Sequence, residues 1–145
     1  MQQFVSESIL ETKKIAAGIA KNTAKGCVLA LIGDLGTGKT AFAQGFAAAM
    51  GISESVGSPT YKFISEYQGI NGWLYHIDCY RLENEQQFIN IGGEEYLAST
   101  NGITLIEWAD IVMNILPENI LQIRFERIIN QQNHRKIIIN ENNCN

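Results

Sequence analysis

The chain has no apolar run approaching the roughly 18 consecutive residues that span a bilayer. Its first residues, MQQFVSESILETKK, lack the basic start and uninterrupted apolar stretch of a secretory signal. A cytoplasmic protein with no membrane contact is the expectation. Cationic charge is scarce too: 11 Lys and Arg against 15 Asp and Glu give a net charge of −4, which argues against broad electrostatic capture of a polyanion. Any nucleic-acid role is therefore expected to pass through a partner. The three cysteines, Cys27, Cys79 and Cys144, are widely spaced and form neither a C-x-x-C pair nor a disulfide framework. Cys27 and Cys79 read as core residues. No N-K-x-D sequence is present to read a guanine base, and no long lid segment is visible. Arginine occurs only at positions 81, 124, 127 and 135, too few to suit a small metabolite kinase, which surrounds the transferred phosphoryl group with a lid and several arginines.

With 145 residues, 46% of them hydrophobic and 18% charged, the chain suits a single domain that buries roughly two-thirds of its unfolded surface. No repeat or linker divides it. A first helix is expected from about Ser6, with Ser6 as N-cap and Ile9, Ile15, Ala16 and Ile19 as its apolar positions, ending before Gly26. Cys27 to Ile32 is a continuous apolar run, suited to a strand covered on both faces. Lys39 to Met50 reads as a helix burying Phe42, Phe46 and Met50, stopped by Gly51. After a polar loop from Ile52 to Thr60, the runs Tyr61–Tyr67 and Trp73–Tyr80 flank Asn71-Gly72, a hairpin signal. Glu83–Ile91 and Glu94–Ser99 suit short helices, and Ile103–Ile106 another strand. Ile120–Ile128 and Lys136–Ile139, flanking the polar tract Asn130–His134, suit a second antiparallel pair. Together these predict an α/β fold: a three-layer P-loop NTPase domain whose mixed sheet contains antiparallel hairpins.

Gly33-Asp34-Leu35-Gly36-Thr37-Gly38-Lys39-Thr40 fits G-x-x-x-x-G-K-[ST] in full. The glycines permit backbone conformations in which successive N–H groups point at phosphate oxygens. The helix beginning near Gly38 adds the positive end of its dipole. Lys39 is placed to reach the β- and γ-phosphates and the Thr40 hydroxyl to ligate Mg²⁺. A glycine-rich turn with an incidental lysine would match by chance with a probability on the order of half a percent, and the motif stands between an apolar strand and an amphipathic helix as the mechanism requires. ATP and Mg²⁺ are the expected ligands.

Hydrolysis also needs an acid near the metal and a group to orient water. The strand Ile103–Ile106 would deliver Glu107 to the carboxyl edge of the sheet, where open α/β sheets bind ligands. In Trp73–Tyr80, strand alternation puts His76, Asp78 and Tyr80 on one face and Ile77 and Cys79 on the other. Asp78 and Glu107 are thus both candidates, the alternative being strand-end carboxylates in water. His76 reads equally as a hydrogen-bonded structural residue or a site residue. Arg81 suits either a carboxylate partner or the nucleotide, and Trp108 reads as packing. Thr60 stands where a γ-phosphate-sensing loop would lie, or is an ordinary turn threonine.

Four motifs, in order, carry a family resemblance: GDLGTGKT with its helix (Gly33 to Gly51), VGSPTY (Val56 to Tyr61), HIDCYRL (His76 to Leu82) and LIEW (Leu105 to Trp108). They resemble the TsaE (YjeE) family, the ATPase component of bacterial threonylcarbamoyladenosine synthesis on tRNA. The resemblance implies Mg²⁺ ligation by Thr40 and Glu107 and a need for Asp78 in hydrolysis, so that Asp78, Lys39 and Glu107 form the catalytic set. It implies a switch element at Ser58 to Thr60. It also implies nucleotide contacts from Gly33 through Thr40, from Ala41 and Thr60, and from Arg135 near the start of the last strand. Thr37 and Ala41 stand where the family more usually has alanine and threonine. The implied partners are TsaB and TsaD, whose complex modifies position 37 of tRNAs reading ANN codons and would hold the tRNA. Two other readings remain at this point, a small P-loop metabolite kinase and a nucleotide-gated binding module.

Overall fold

The computed structural model describes residues 1–57 and 62–141. At its centre lies β2 (Val28–Ile32), a five-residue strand of VLALI buried at every position. A strand with both faces apolar needs cover on both sides, and it receives it. Its neighbours β5 (Gly102–Glu107) and β6 (Ile120–Ile128) run parallel to it. The seven-stranded sheet is completed by β4 (Trp73–Asp78), β3 (Ile64–Gln68), β7 (Gln131–Glu141) and β1 (Gln2–Ser6), in the order β1-β7-β6-β2-β5-β4-β3. β4 is parallel to β5, whereas β3, β7 and β1 pair antiparallel at the flanks.

The helices α1 (Ile9–Lys21) and α2 (Lys39–Ala49) cover one face, where Ala16, Phe42 and Phe46 pack on Leu29, Leu31, Leu105 and Ile123. The other face, with Val28, Ala30, Ile77 and Ile106, is covered by α3 (Glu85–Asn90), α4 (Gly93–Leu97) and the 3₁₀ turns Ala109–Ile111 and Met113–Ile115 through Phe88, Ala109 and Val112. The three layers and the mixed sheet with antiparallel hairpins match the expectation. α2 stops where foreseen, with Met50 as cap and Gly51 at φ +80°. α1 and α2 approach so closely that a Cβ on Gly45 would collide with the backbone of Lys13.

The N-terminus departs from the sequence reading. Residues 2–6 form an edge strand on β7, and Ser6 is buried, its hydroxyl 2.7 Å from that of Thr12. The N-cap is Ser8: its Oγ accepts the Glu11 N–H at 3.1 Å, while the Glu11 carboxylate accepts the Glu7 N–H at 2.5 Å, a reciprocal capping arrangement. The helix ends at Lys21, and Gly26 (φ +91°) turns the chain into β2. Ile9 is not a core position but 70% exposed. The tract Asn130–His134 is not a loop either. The turn is tight, with Asn130 at φ 65°, and β7 begins at Gln131. Its first residues are polar because they are exposed rather than because they leave the sheet. Cys27 and Cys79 are both buried, as expected, and Cys79 is a free thiol.

Candidate functional site

Between β2 and α2 the chain folds back on itself through Gly36 (φ +76°) and Gly38 (φ +108°), backbone angles that L side chains rarely adopt. Thr37 closes the loop from inside, donating its N–H at 3.3 Å and its hydroxyl at 2.6 Å to the Asp34 carbonyl. Two guanidiniums hold its tip from outside. Arg127 donates to the Leu35 carbonyl at 2.5 Å and Arg135 to the Gly36 carbonyl at 3.2 Å. These arginines are direct register partners on β6 and β7. Like charges facing each other across strands repel, and the loop carbonyls, together with the Gln132 and His134 carbonyls taken by Arg135 at 2.8 Å each, offset that cost. The sequence reading placed Arg135 here but gave Arg127 no role. Its offset of 92 residues from Leu35 leaves no local signal; only the β6–β7 pairing could have shown it.

Lys39, the first residue of α2, is 96% removed from solvent, with a relative exposure of 4%. Its ammonium donates to the Gly33 carbonyl at 2.5 Å and the Asp34 carbonyl at 2.8 Å, and lies 4.3 Å from the Trp108 ring centroid. Burial lowers its pKa, and the nearby carboxylates of Glu107, Asp34, Asp78 and Asp110 pull it back up. Trp108 takes φ 58°, a left-handed conformation uncommon for a bulky side chain. It sits directly after Glu107, so the turn starting Ala109–Ile111 swings its ring over Lys39 and to within 5.0 Å of Tyr80. Trp108 was read as packing; its packing partner is Lys39 of the glycine-rich loop.

Glu107 ends β5 with 2% exposure. One carboxylate oxygen, Oε2, lies 2.6 Å from Nε2 of the fully buried His76, and Oε1 accepts the Thr40 hydroxyl at 3.4 Å. Asp78 is the register partner of Glu107 on β4, half-buried, its Oδ1 accepting the Tyr80 N–H at 3.0 Å. The alternation read from the sequence holds: His76 and Asp78 share the α1/α2 face, while Ile77 and Cys79 face the other core. Thr40 and Glu107 present hard oxygen donors side by side. Among the described residues no cluster of three or more acidic, histidine or cysteine side chains forms a protein-only metal cage. That arrangement fits Mg²⁺, which is commonly held by one or two protein oxygens together with phosphates and water.

A cleft of about 860 Å³ opens here, within the range of small-molecule sites. Lys39, Thr40, Asp78, Glu107 and Trp108 line it, with Gly36, Gly38, Ala41 and Arg81 also on the wall, while His76 lies beneath it. Ser8, Ile9, Leu10, Leu35 and Arg135 line it as well. No local pattern announced that the β1–α1 junction reaches the cleft, because that contact follows from the edge pairing of β1. Gly33, Asp34 and Thr37 do not line it; their backbones shape the loop. Thr60 lies outside the described residues.

The family profile described as "Threonylcarbamoyl adenosine biosynthesis protein TsaE" matches residues 6–137. A tRNA threonylcarbamoyladenosine biosynthesis protein TsaE from Bacillus subtilis is 44% identical over 117 residues, covering 81% of this chain and 72% of the relative. That of Treponema pallidum is 38% identical over 114 residues, 79% of this chain and 83% of the relative. The crystal structure of YdiB from Bacillus subtilis superposes with a TM-score of 0.82 at 35% identity, covering 97% of this chain and 85% of that one.

Proposed function

The chain belongs to the TsaE family of threonylcarbamoyl adenosine biosynthesis proteins, and on that premise we propose that it is a Mg²⁺-dependent ATPase. It acts on a complex of TsaB and TsaD in the cytoplasm, and its work is required for threonylcarbamoyladenosine at position 37 of tRNAs reading ANN codons. The observation that carries the reading is the convergence of Lys39, Thr40, Asp78 and Glu107 on one cleft.

Each group has a task that its position supports. The loop amides and the start of α2 offer a positive field to phosphate oxygens. Lys39, held in wait by the Gly33 and Asp34 carbonyls, is exchanged onto the β- and γ-phosphates, an anionic partner stronger than two neutral acceptors. Mg²⁺, when held by Thr40 and Glu107, supplies neutralisation of the charge that spreads over the transferring phosphoryl oxygens. Asp78, beside Glu107 but more open to the cleft, is the carboxylate left to orient the attacking water. Arg127 and Arg135 keep the loop tip in place by its carbonyls, Arg135 from the cleft wall.

Hydrolysis can drive a partner only if ATP changes the affinity for it, because a ligand shifts an equilibrium by no more than its differential binding. A tenfold preference needs about 1.4 kcal/mol, within the reach of a few hydrogen bonds to the γ-phosphate. The net negative charge is compatible with tRNA being held by the other subunits. The test is depletion of the protein in its own cells followed by mass spectrometry of bulk tRNA. Threonylcarbamoyladenosine should fall and be restored by the wild-type chain but not by Lys39→Ala; an unchanged level would refute the role.

A further inference from the structure

His76 is fully buried in the middle of β4, between the apolar side chains of the α1/α2 core and the carboxylate of Glu107. An apolar residue would fill that space more cheaply, since a buried polar group without partners is costly. The ring has one partner and one orphan: Nε2 lies 2.6 Å from Glu107 Oε2, and Nδ1 has no hydrogen-bond partner. Proton accounting then separates the possible forms. A contact of 2.6 Å needs a proton between the atoms. A neutral ring protonated at Nδ1 would leave an N–H donor stranded in the core and place no ring proton on the side of the carboxylate. A neutral ring protonated at Nε2 strands only a lone pair and gives the carboxylate its donor.

We propose that His76 is a positioning residue for the metal site: its Nε2–H holds Glu107 Oε2, so that Oε1 faces Thr40, with which it would hold the cation. Glu107 ends its strand with a flexible side chain, and Thr40 Oγ1 touches only Oε1, at 3.4 Å. The long contact alone leaves the carboxylate free to rotate about its last bond, and the imidazole removes that freedom. Histidine suits the position because its rigid ring spans the gap from β4 to the end of β5, where His76 pairs with Leu105, two residues before Glu107. Outer partners of this kind tune a metal site by fixing the ligand's orientation. The inference rests on the nucleotide reading above and deepens it.

Two measurements on the full chain test it. In metal-free protein, long-range ¹H–¹⁵N NMR should find His76 protonated at Nε2, its signals identified by their loss in His76→Gln. A ring with its proton on Nδ1 and Nε2 bare would overturn the assignment. The second measurement is Mn²⁺ affinity in the ADP complex, read by electron paramagnetic resonance. His76→Leu should weaken Mn²⁺ by about 10-fold or more, while His76→Gln, whose amide reaches the place of Nε2, should stay within about threefold of wild type. His76→Asn, whose amide reaches only as far as Nδ1, should behave as the leucine variant. ADP affinity without metal should be the same in all. A folded leucine variant with wild-type Mn²⁺ affinity would overturn the proposal, as would a glutamine variant as weak as asparagine, a comparison that stands even if leucine prevents folding. If wild-type protein binds no nucleotide, the nucleotide reading falls and takes this with it. If it binds Mn²⁺ and ADP and every variant matches it, only the role of His76 falls.

Discussion

The two faces of the sheet are built from the same strands and put to different uses. Towards α1 and α2, β4 and β5 end in His76, Asp78 and Glu107 beside the glycine-rich loop. Towards α3, α4 and the 3₁₀ turns, the same strands show Ile77 and Ile106, with Cys79 just past the end of β4, and the polar Thr104 is satisfied locally by the Tyr96 carbonyl at 2.8 Å. A strand places successive side chains on opposite faces, so residues adjacent in sequence are assigned alternately to chemistry and to stability. What distinguishes the first face is its loops: the glycine-rich loop and the β1–α1 junction both line the cleft on that side. On the opposite face a buried polar side chain such as Thr104 finds its partner in the covering layer, at the Tyr96 carbonyl of α4.

The comparison can be broken by substitutions that act on the wrong property. The largest effect is expected from Lys39→Ala, which removes the loop's cation: ATP affinity or turnover should fall by roughly 10²–10³-fold, with the circular dichroism spectrum unchanged. Wild-type ATP binding in that variant would end the assignment of the active face. Gly45→Ala should do the reverse. Its Cβ meets the Lys13 backbone, forcing α1 from α2 at a cost of about 1–3 kcal/mol, measured by urea denaturation, while ATP affinity per folded molecule stays put. Ile77→Val is the sharpest control, since Ile77 lies between His76 and Asp78 yet faces the other core. It should cost about 0.5–1.5 kcal/mol and leave nucleotide affinity untouched; an altered affinity would mean that the two faces are coupled through β4.

The smallest effect belongs to Cys79. Burial pushes its thiol up to about 12, with Asp78 and Asp110 adding to the rise. A thiolate fraction on the order of 10⁻⁴ at pH 8 follows from that value. N-ethylmaleimide should therefore leave Cys79 unlabelled in native protein over hours, as mass spectrometry of a digest would show. Rapid labelling would reveal that the apolar face opens.

What could be read in the sequence followed from local rules. The glycine-rich loop is a contiguous motif, Glu107 closes an apolar run, and the period of two puts His76 with Asp78 rather than with Ile77. What could not be read depends on pairing between distant segments. Gln2–Ser6 has no periodicity of its own and becomes a strand only because β7 offers it an edge. Arg127 reaches Leu35, and His76 reaches Glu107, through the registers of β6 with β7 and of β4 with β5. The Trp108 ring finds Lys39 because a bulky residue accepts a left-handed backbone at the strand end, which propensity argues against. Ile9 was taken for core because helical periodicity does not know that the first turn of α1 lines a cleft.

The central claim, that this cleft hydrolyses ATP and that its two neighbouring carboxylates divide the labour, meets its most direct test in one assay. Phosphate release from Mg²⁺ and ATP is measured with purified TsaB and TsaD for the wild type and for Asp78→Asn, alongside ATP affinity. The account predicts partner-stimulated release by the wild type, and in Asp78→Asn a fall of about 10²-fold or more with ATP affinity retained. Release at the wild-type rate from Asp78→Asn, or none from the wild-type assembly, would contradict it.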